Sequence, residues 1–223
     1  MSNQLDRQKS LLRKIFNQTT DKSLQHKNLS GCDLAGIDLS GIDLSGFNLV
    51  GANLNGANLS GSILTGTNLS GANLVKVNLR EAYLHEACLC EANLMDADLS
   101  RANLCGAFLW RAKLKRANCW AVSLCGADLR KTDFRDAQLV EASLIEANLI
   151  KANLNNAKLC GANFVEANLN QVNLTNANLS WANLIQANLF EANISGANFY
   201  NAKLTDTIMP DGTIDQPHIL FFD

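Results

Sequence analysis

From Leu29 to Leu204 every fifth residue is apolar. Of these 36 positions 31 are Leu, and the others are Cys119, Phe134, Phe164, Ile194 and Phe199. Two residues before each of these centres stands a small residue, mostly Ala, as at Ala52, Ala57, Ala72 and every such position from Ala82 to Ala117. The residue between the two is usually Asn or Asp, as at Asn53, Asn58, Asp98 and Asn103. A period of five is neither the 3.6 of a helix nor the 2 of a plain strand. It describes a short extended segment followed by a corner. The centre and the small residue share one side of the segment, and the residues flanking the centre point the other way. The corner falls two residues after the centre and is Gly nine times running from Gly31 to Gly71, where a tight turn gains from a residue without Cβ.

A single pentapeptide cannot bury its own Leu, but stacked coils can, because each rung pairs its backbone with the rungs above and below. Large Leu alternating with small Ala fills a narrow interior at native density. The motif A(N/D)LXX, as in Ala52-Asn53-Leu54-Asn55-Gly56, runs without insertion or deletion and resembles the pentapeptide-repeat family. That resemblance implies an all-β chain: a right-handed quadrilateral parallel β-helix with four pentapeptides per coil. Right-handedness also agrees with the rule for parallel crossovers. Thirty-six pentapeptides on four sides make about nine coils, a shaft of roughly 43 Å at about 4.8 Å per rung.

Four sides place residues 20 apart in columns. Glu81, Glu91 and Asp96 then lie under Arg101, Arg111 and Arg116, three opposite-charge contacts where offsets of 15 or 25 yield two. The domain reading follows: residues 1–23 a capping helix and linker, 24–207 the β-helix, 208–223 a tail folding over the last coil. Leu5, Leu12, Ile15 and Phe16 fall near one face of residues 2–17, as an amphipathic cap requires. The larger residues Cys32, Ile37, Ile42 and Phe47 at small sites predict a wider start. After Leu204 the repeat stops, Pro210-Asp211-Gly212 reads as a turn, and Ile219 to Phe222 are apolar enough to cover the end. This tail is similar to those of cyanobacterial family members.

Composition narrows the function. The formal net charge is −2, which favours neither a nucleic-acid partner nor a strongly acidic mimic. No apolar run approaches the roughly 18 residues of a membrane span, and the charged N-terminus reads as no signal peptide, so the expected location is cytoplasmic. Seven cysteines form an odd set without a CxxC pair, in keeping with reduced thiols. With three histidines, no nucleophile–base–acid set and a packed shaft, the expectation is a non-enzyme without cofactor or metal.

Three outward features remain. His85, Cys105 and Cys125 form one column, whose parallel side chains read better as exposed small residues than as converging metal ligands; Cys32 and Cys119 point inward as core. Arg111 to Arg135 holds seven bases against Asp128 and Asp133. Stacking assigns most of them carboxylate partners and leaves Lys115 and Arg135 as a candidate anion contact. Finally, the face with centres Leu64, Leu84 and Leu104 carries Cys105, Cys125, Ile145, Val165 and Ile185 after the centres, and Ile63 and Tyr83 before them. Outward apolar residues in a row mark contact surfaces, although β-branched residues also favour strands. The functional expectation is a protein-interaction scaffold whose partner is a protein, a second copy among the options. The alternative, implied by the resemblance, is a DNA-mimicking binder of a type II topoisomerase (gyrase). Only the chain after residue 135, with nine acids against three bases, has the charge for that role.

Overall fold

The computed structural model describes residues 27–215; the helix expected over 2–17 and the apolar residues Ile219 to Phe222 lie outside them. Parallel bridges join residues 20 apart throughout, from Asn28 with Asn48 to Asn188 with Ile208. Each coil therefore has four sides of five residues, and outward columns repeat every 20 positions. We number the sides by their centres: face 1 from Leu29, face 2 from Leu34, face 3 from Leu39 and face 4 from Leu44.

The backbone accounts for this geometry donor by donor. In the pentapeptide around Leu49, the Asn48 N–H donates to Lys27 O in the coil before (2.7 Å), and the Leu49 and Gly51 N–H groups donate to Asn68 O (2.7 Å) and Ser70 O (2.9 Å) in the coil after. The Ala52 N–H closes the corner on Leu49 O at 3.0 Å. One donor is left, the Val50 N–H, and the Asn48 side chain accepts it at 3.1 Å. The same local bond recurs from Ser30 on Asn28 to Tyr200 on Asn198. This explains the Asn/Asp preference before each centre: the side chain takes the one N–H that no rung can reach. Several also bond along the column, as Asn73 Nδ2 does to Asn53 Oδ1 at 3.0 Å.

Inside, Leu centres and small sites are almost entirely excluded from solvent, Phe134 and Phe164 included. Where a hydroxyl replaces Ala it finds a carbonyl: Thr67 on Leu44 O (2.8 Å), Thr132 on Leu109 O (2.9 Å), Ser62 on Leu59 O (2.7 Å). Burial without such a bond would be costly. In the first coils Ile37 and Phe47 are fully buried at small sites, and Cys32 and Ile42 half-buried. In the last coil Ile194, Phe199 and Leu204 are only half-buried. There the chain turns at Pro210-Asp211-Gly212 into an antiparallel pair, β1 (Thr207–Ile208) with β2 (Ile214–Asp215). Phe190 packs on that turn, so a Cβ at Gly212 would stand 3.5 Å from its ring.

Every corner has positive φ. Glycine meets it first, but beyond Gly71 the corner is usually Lys, Glu, Asp, Arg or Asn at φ of 54–60°, with Ala121 at 50° and Trp181 at 62°. The left-handed conformation costs such residues about 1–2 kcal/mol each; the corner bonds and the rungs on either side hold them there.

Two outcomes follow from this construction. Leu114→Asp places an unpaired charge in the shaft and should abolish the cooperative thermal melt; a melt like that of the wild type would refute the core assignment. A Cβ at Gly126 (φ 63°) would meet nothing within 4 Å, so Gly126→Ala reads backbone conformation alone. Allowing for the lower entropy of the unfolded variant, chemical denaturation should show a loss of about 1 kcal/mol. Ala121→Gly should gain a similar amount.

Candidate functional site

With core and backbone satisfied within the shaft, chemistry is left to the outer columns. On face 4 Cys105, Cys125, Ile145, Val165 and Ile185 follow one another on five successive coils, all half-buried. Ile63 and Tyr83 stand before the centres of the same face, 39% and 55% exposed. Neither side chain can accept from the residue two ahead, so Thr65 and His85 lose the local bond that Asn provides elsewhere. Giving up such a bond forfeits roughly 0.5–1.5 kcal/mol each. The Ser123 hydroxyl lies between two thiols, 3.0 Å from Cys105 Sγ and 3.6 Å from Cys125 Sγ, and Ser143 Oγ lies 3.1 Å from Cys125 Sγ.

His85 does not join the cysteines above it. Its Nδ1–H donates to Cys105 O (2.8 Å), and Nε2 faces the Glu86 carboxylate at 3.4 Å. Among the described residues no three His, Cys, Asp or Glu side chains form a metal-binding group. Cys119 is core; burial first, then the charge of Asp98, pushes its thiol up to about 12.

Most of the basic stretch is paired. The three column contacts expected from charge exist: Arg101–Glu81 at 3.7 Å, Arg111–Glu91 at 3.6 Å, and Arg116 on both oxygens of Asp96 at 2.6 and 2.8 Å. Arg130 and Arg135 instead turn back on the acids before their own centres, Asp128 and Asp133, each by a two-pronged bond. Lys115 lies 3.9 Å from Asp136. Lys115 and Arg135, singled out in the sequence as an anion contact, thus each have a carboxylate. Asp133, which stands one coil on from Lys113 in the same column, is taken by Arg135.

Aromatic exposure is the feature that sequence reasoning missed. Trp181 and Tyr200, 62% and 65% exposed, meet edge to face with centroids 5.9 Å apart. Arg101 covers Trp120 and Arg111 covers Trp110, each at 4.8 Å. Phe108, on face 1, is 49% exposed in an Asn position. The available signal was any aromatic at an outward position of the repeat: before the centre (Phe108), after it (Trp110, Trp120, Tyr200) or at the corner (Trp181).

The repeat profile described as pentapeptide repeats matches in 8 copies, from residues 28–66 at one end to 173–209 at the other. The chain is a pentapeptide-repeat protein. Its fold is the right-handed quadrilateral β-helix of that family. Among solved structures, this pentapeptide-repeat protein is similar to HetL, a pentapeptide repeat protein involved in heterocyst differentiation regulation from the cyanobacterium Nostoc sp. strain PCC 7120. Identity is 35% over 92% of this chain and 98% of that one, with a TM-score of 0.48. Rfr23 from the cyanobacterium Cyanothece 51142 is 40% identical over 41% of this chain and 63% of its own, with a TM-score of 0.40. QnrB1, a plasmid-mediated fluoroquinolone resistance protein, is 18% identical over 78% and 92%, with a TM-score of 0.47. Comparison with curated protein sequences finds no match. No helix among the described residues is long and apolar enough to cross a membrane.

The Asp128–Arg130 pair sets a pH dependence. The Arg130 guanidinium, helped by the Arg130 N–H and opposed by burial, holds the Asp128 carboxyl below its ordinary value. A depressed folded-state value stabilises at neutral pH, above the unfolded value, and that share is lost as pH falls through the carboxylate range to the folded value. Unfolding free energy measured from pH 7 down to about 2 should therefore fall less steeply for Asp128→Asn than for wild type. Parallel curves would remove the pair from the acid limb.

Proposed function

We propose that this pentapeptide-repeat protein is a non-catalytic interaction scaffold that presents face 4 of its β-helix to a protein partner. The observation that carries this reading is the uninterrupted apolar column from Cys105 to Ile185, with Ile63 and Tyr83 extending the same face toward the first coils. Four rung steps make the column about 19 Å long. With flanking positions it matches the core of a small interface, in which an apolar centre is rimmed by polar groups. The polar rim is present in Ser123, Ser143, Asn163 and Asn183, which stand before the centres along the same coils. Rigidity supports the reading, because a surface held by rungs on both sides loses little conformational entropy on binding. A folded protein with a complementary apolar ridge fits this face, and a second copy meeting it isologously is the simplest such partner.

Ile145→Thr combined with Ile185→Thr keeps β propensity and removes apolar area, so the melt should be preserved. Light scattering and pull-down from host lysate are run on both forms. The expected result is lower mass or loss of a protein that wild type retains. Equal mass and equal recovery would reduce the column to strand-forming residues. Inhibition of gyrase supercoiling, unchanged in the double variant, would move the function to the acidic corners Glu141, Glu146, Glu166 and Glu191.

A further inference from the structure

Cys88 and Cys90 flank the inward Leu89, so both thiols leave face 1 from a single rung. Their sulfurs are 3.5 Å apart, and both residues are half-buried. A search for CxxC passes over this pair; the pleat brings it together because residues two apart in an extended segment share a side. The surroundings treat the two sulfurs differently. Ser70 Oγ lies 3.0 Å from Cys88 Sγ, which stands where Asn would otherwise accept the Cys90 N–H. Cys90 Sγ faces a carbonyl, Phe108 O, at 3.8 Å.

We propose that Cys88 and Cys90 form a reversible dithiol site for a hydroperoxide, closing to a Cys88–Cys90 disulfide on the outside of the shaft. Cys88 is the nucleophile. Burial acts to raise its thiol, but the Ser70 hydroxyl, the Cys90 N–H and the Cys90 thiol together bring it below its ordinary value. Burial, the bond with Cys88 and the charge of Cys88 push Cys90 up to about 11, which keeps it protonated as the resolving thiol. The Cys88 thiolate attacks one peroxide oxygen, the O–O bond breaks, and the departing hydroxide takes a proton to become water. Cys88 is left as a sulfenic acid. The Cys90 sulfur then attacks Cys88 sulfur, and its proton leaves with the hydroxyl as a second water. Two thiols lose two electrons, and one hydrogen peroxide becomes two waters.

The bond so formed is reducible. Two residues of extended chain span about 6.4–6.8 Å, the upper edge of the Cα separation that a disulfide accepts. Strain at that edge raises the reduction potential, so a small dithiol reopens it. Cys105 and Cys125 are the comparison pair. Burial acts to raise the Cys125 thiol, but the Ser143 and Ser123 hydroxyls and the Cys105 thiol bring it below its ordinary value. The two stand on successive coils rather than one rung, however, with the Ser123 hydroxyl in contact with both.

Tryptic cleavage isolates the pair, because Cys88 and Cys90 lie between Arg80 and Arg101 with no other cysteine. Reduced full-length protein is given one equivalent of hydrogen peroxide, then alkylated, digested and weighed. The expected peptide carries no alkyl group and is lighter by two hydrogens than its unalkylated dithiol form; dithiothreitol before alkylation restores both sites. Cys90→Ser should yield a dimedone adduct at Cys88, and Cys88→Ser should slow oxidation at Cys90 by about tenfold or more. Both substitutions are on the outside, and circular dichroism checks that the β-helix is retained. Full alkylation of the Cys88–Cys90 peptide after peroxide, earlier pairing of Cys105 with Cys125, or equal adducts on the two single variants would overturn the assignment.

Discussion

The structure depends on the rung register. Up to the last coil each centre donates its N–H to the residue 19 positions on, and after the first coil each residue before a centre donates to the one 21 positions back. Those bonds admit no slip, because a shift of one residue would turn the Leu row to water and the Asn row into the core. Once the register is set, every outward side chain belongs to a column whose neighbours are 20 residues away in sequence. Surface chemistry in this molecule is therefore one-dimensional: a change at one coil is felt by the coil above and the coil below.

Within that frame the Asn position is where the needs of the backbone and the chemistry of the outer surface compete. An Asn or Asp there satisfies the one backbone donor the rungs miss, and it bonds to the next Asn in its column, as Asn118 does to Asp98 at 3.0 Å. At Ile63, Tyr83, Cys88, Phe108, Lys113, Ser123, Ser143, Lys158 and Lys203 the side-chain amide or carboxylate is absent. Seven of these nine lie on the adjoining faces 4 and 1, and six of the nine fall between the second and fifth coils. A protein held together by repetition records its special surfaces as departures from the repeat. The corners tell a similar story from the other side: left-handed Lys, Glu and Arg residues accept strain in exchange for charge at the edges, where they pair along the column.

The charges show why pairing is local. Arg111 and Arg116 reach down one coil to Glu91 and Asp96, whereas Arg130 and Arg135 fold onto the acid two residues earlier on their own rung. Both routes are of similar length, since a rung step and a two-residue step along a strand differ by less than an arginine side chain can absorb. The side chain takes whichever carboxylate stands in the more favourable line. Five of the seven bases from Arg111 to Arg135 have carboxylates within 4.0 Å, so a run that looks basic in sequence is close to neutral as a surface.

Period, side-chain alternation and the unbroken Leu row were enough to determine the β-helix, its buried centres and the inward Cys119, because a strict repeat leaves one way to hide its apolar residues. The offset of 20 was legible in Glu81, Glu91 and Asp96 with the arginines that follow them, and the Pro-Asp-Gly turn in its residue types. The face-4 column was legible too, as a list of positions. What only the tertiary structure decided is how side chains at one address divide their contacts: Arg135 with Asp133, Lys115 with Asp136, His85 with a carbonyl, Arg101 over Trp120. The 3.5 Å approach of Cys88 and Cys90 belongs to the same class. Sequence period dictates which residues are neighbours, because backbone bonds are few in kind and fixed in length. Which neighbour a long side chain takes is settled by rotamer choice and by competition among partners of nearly equal energy, and these exist only once the coils are stacked.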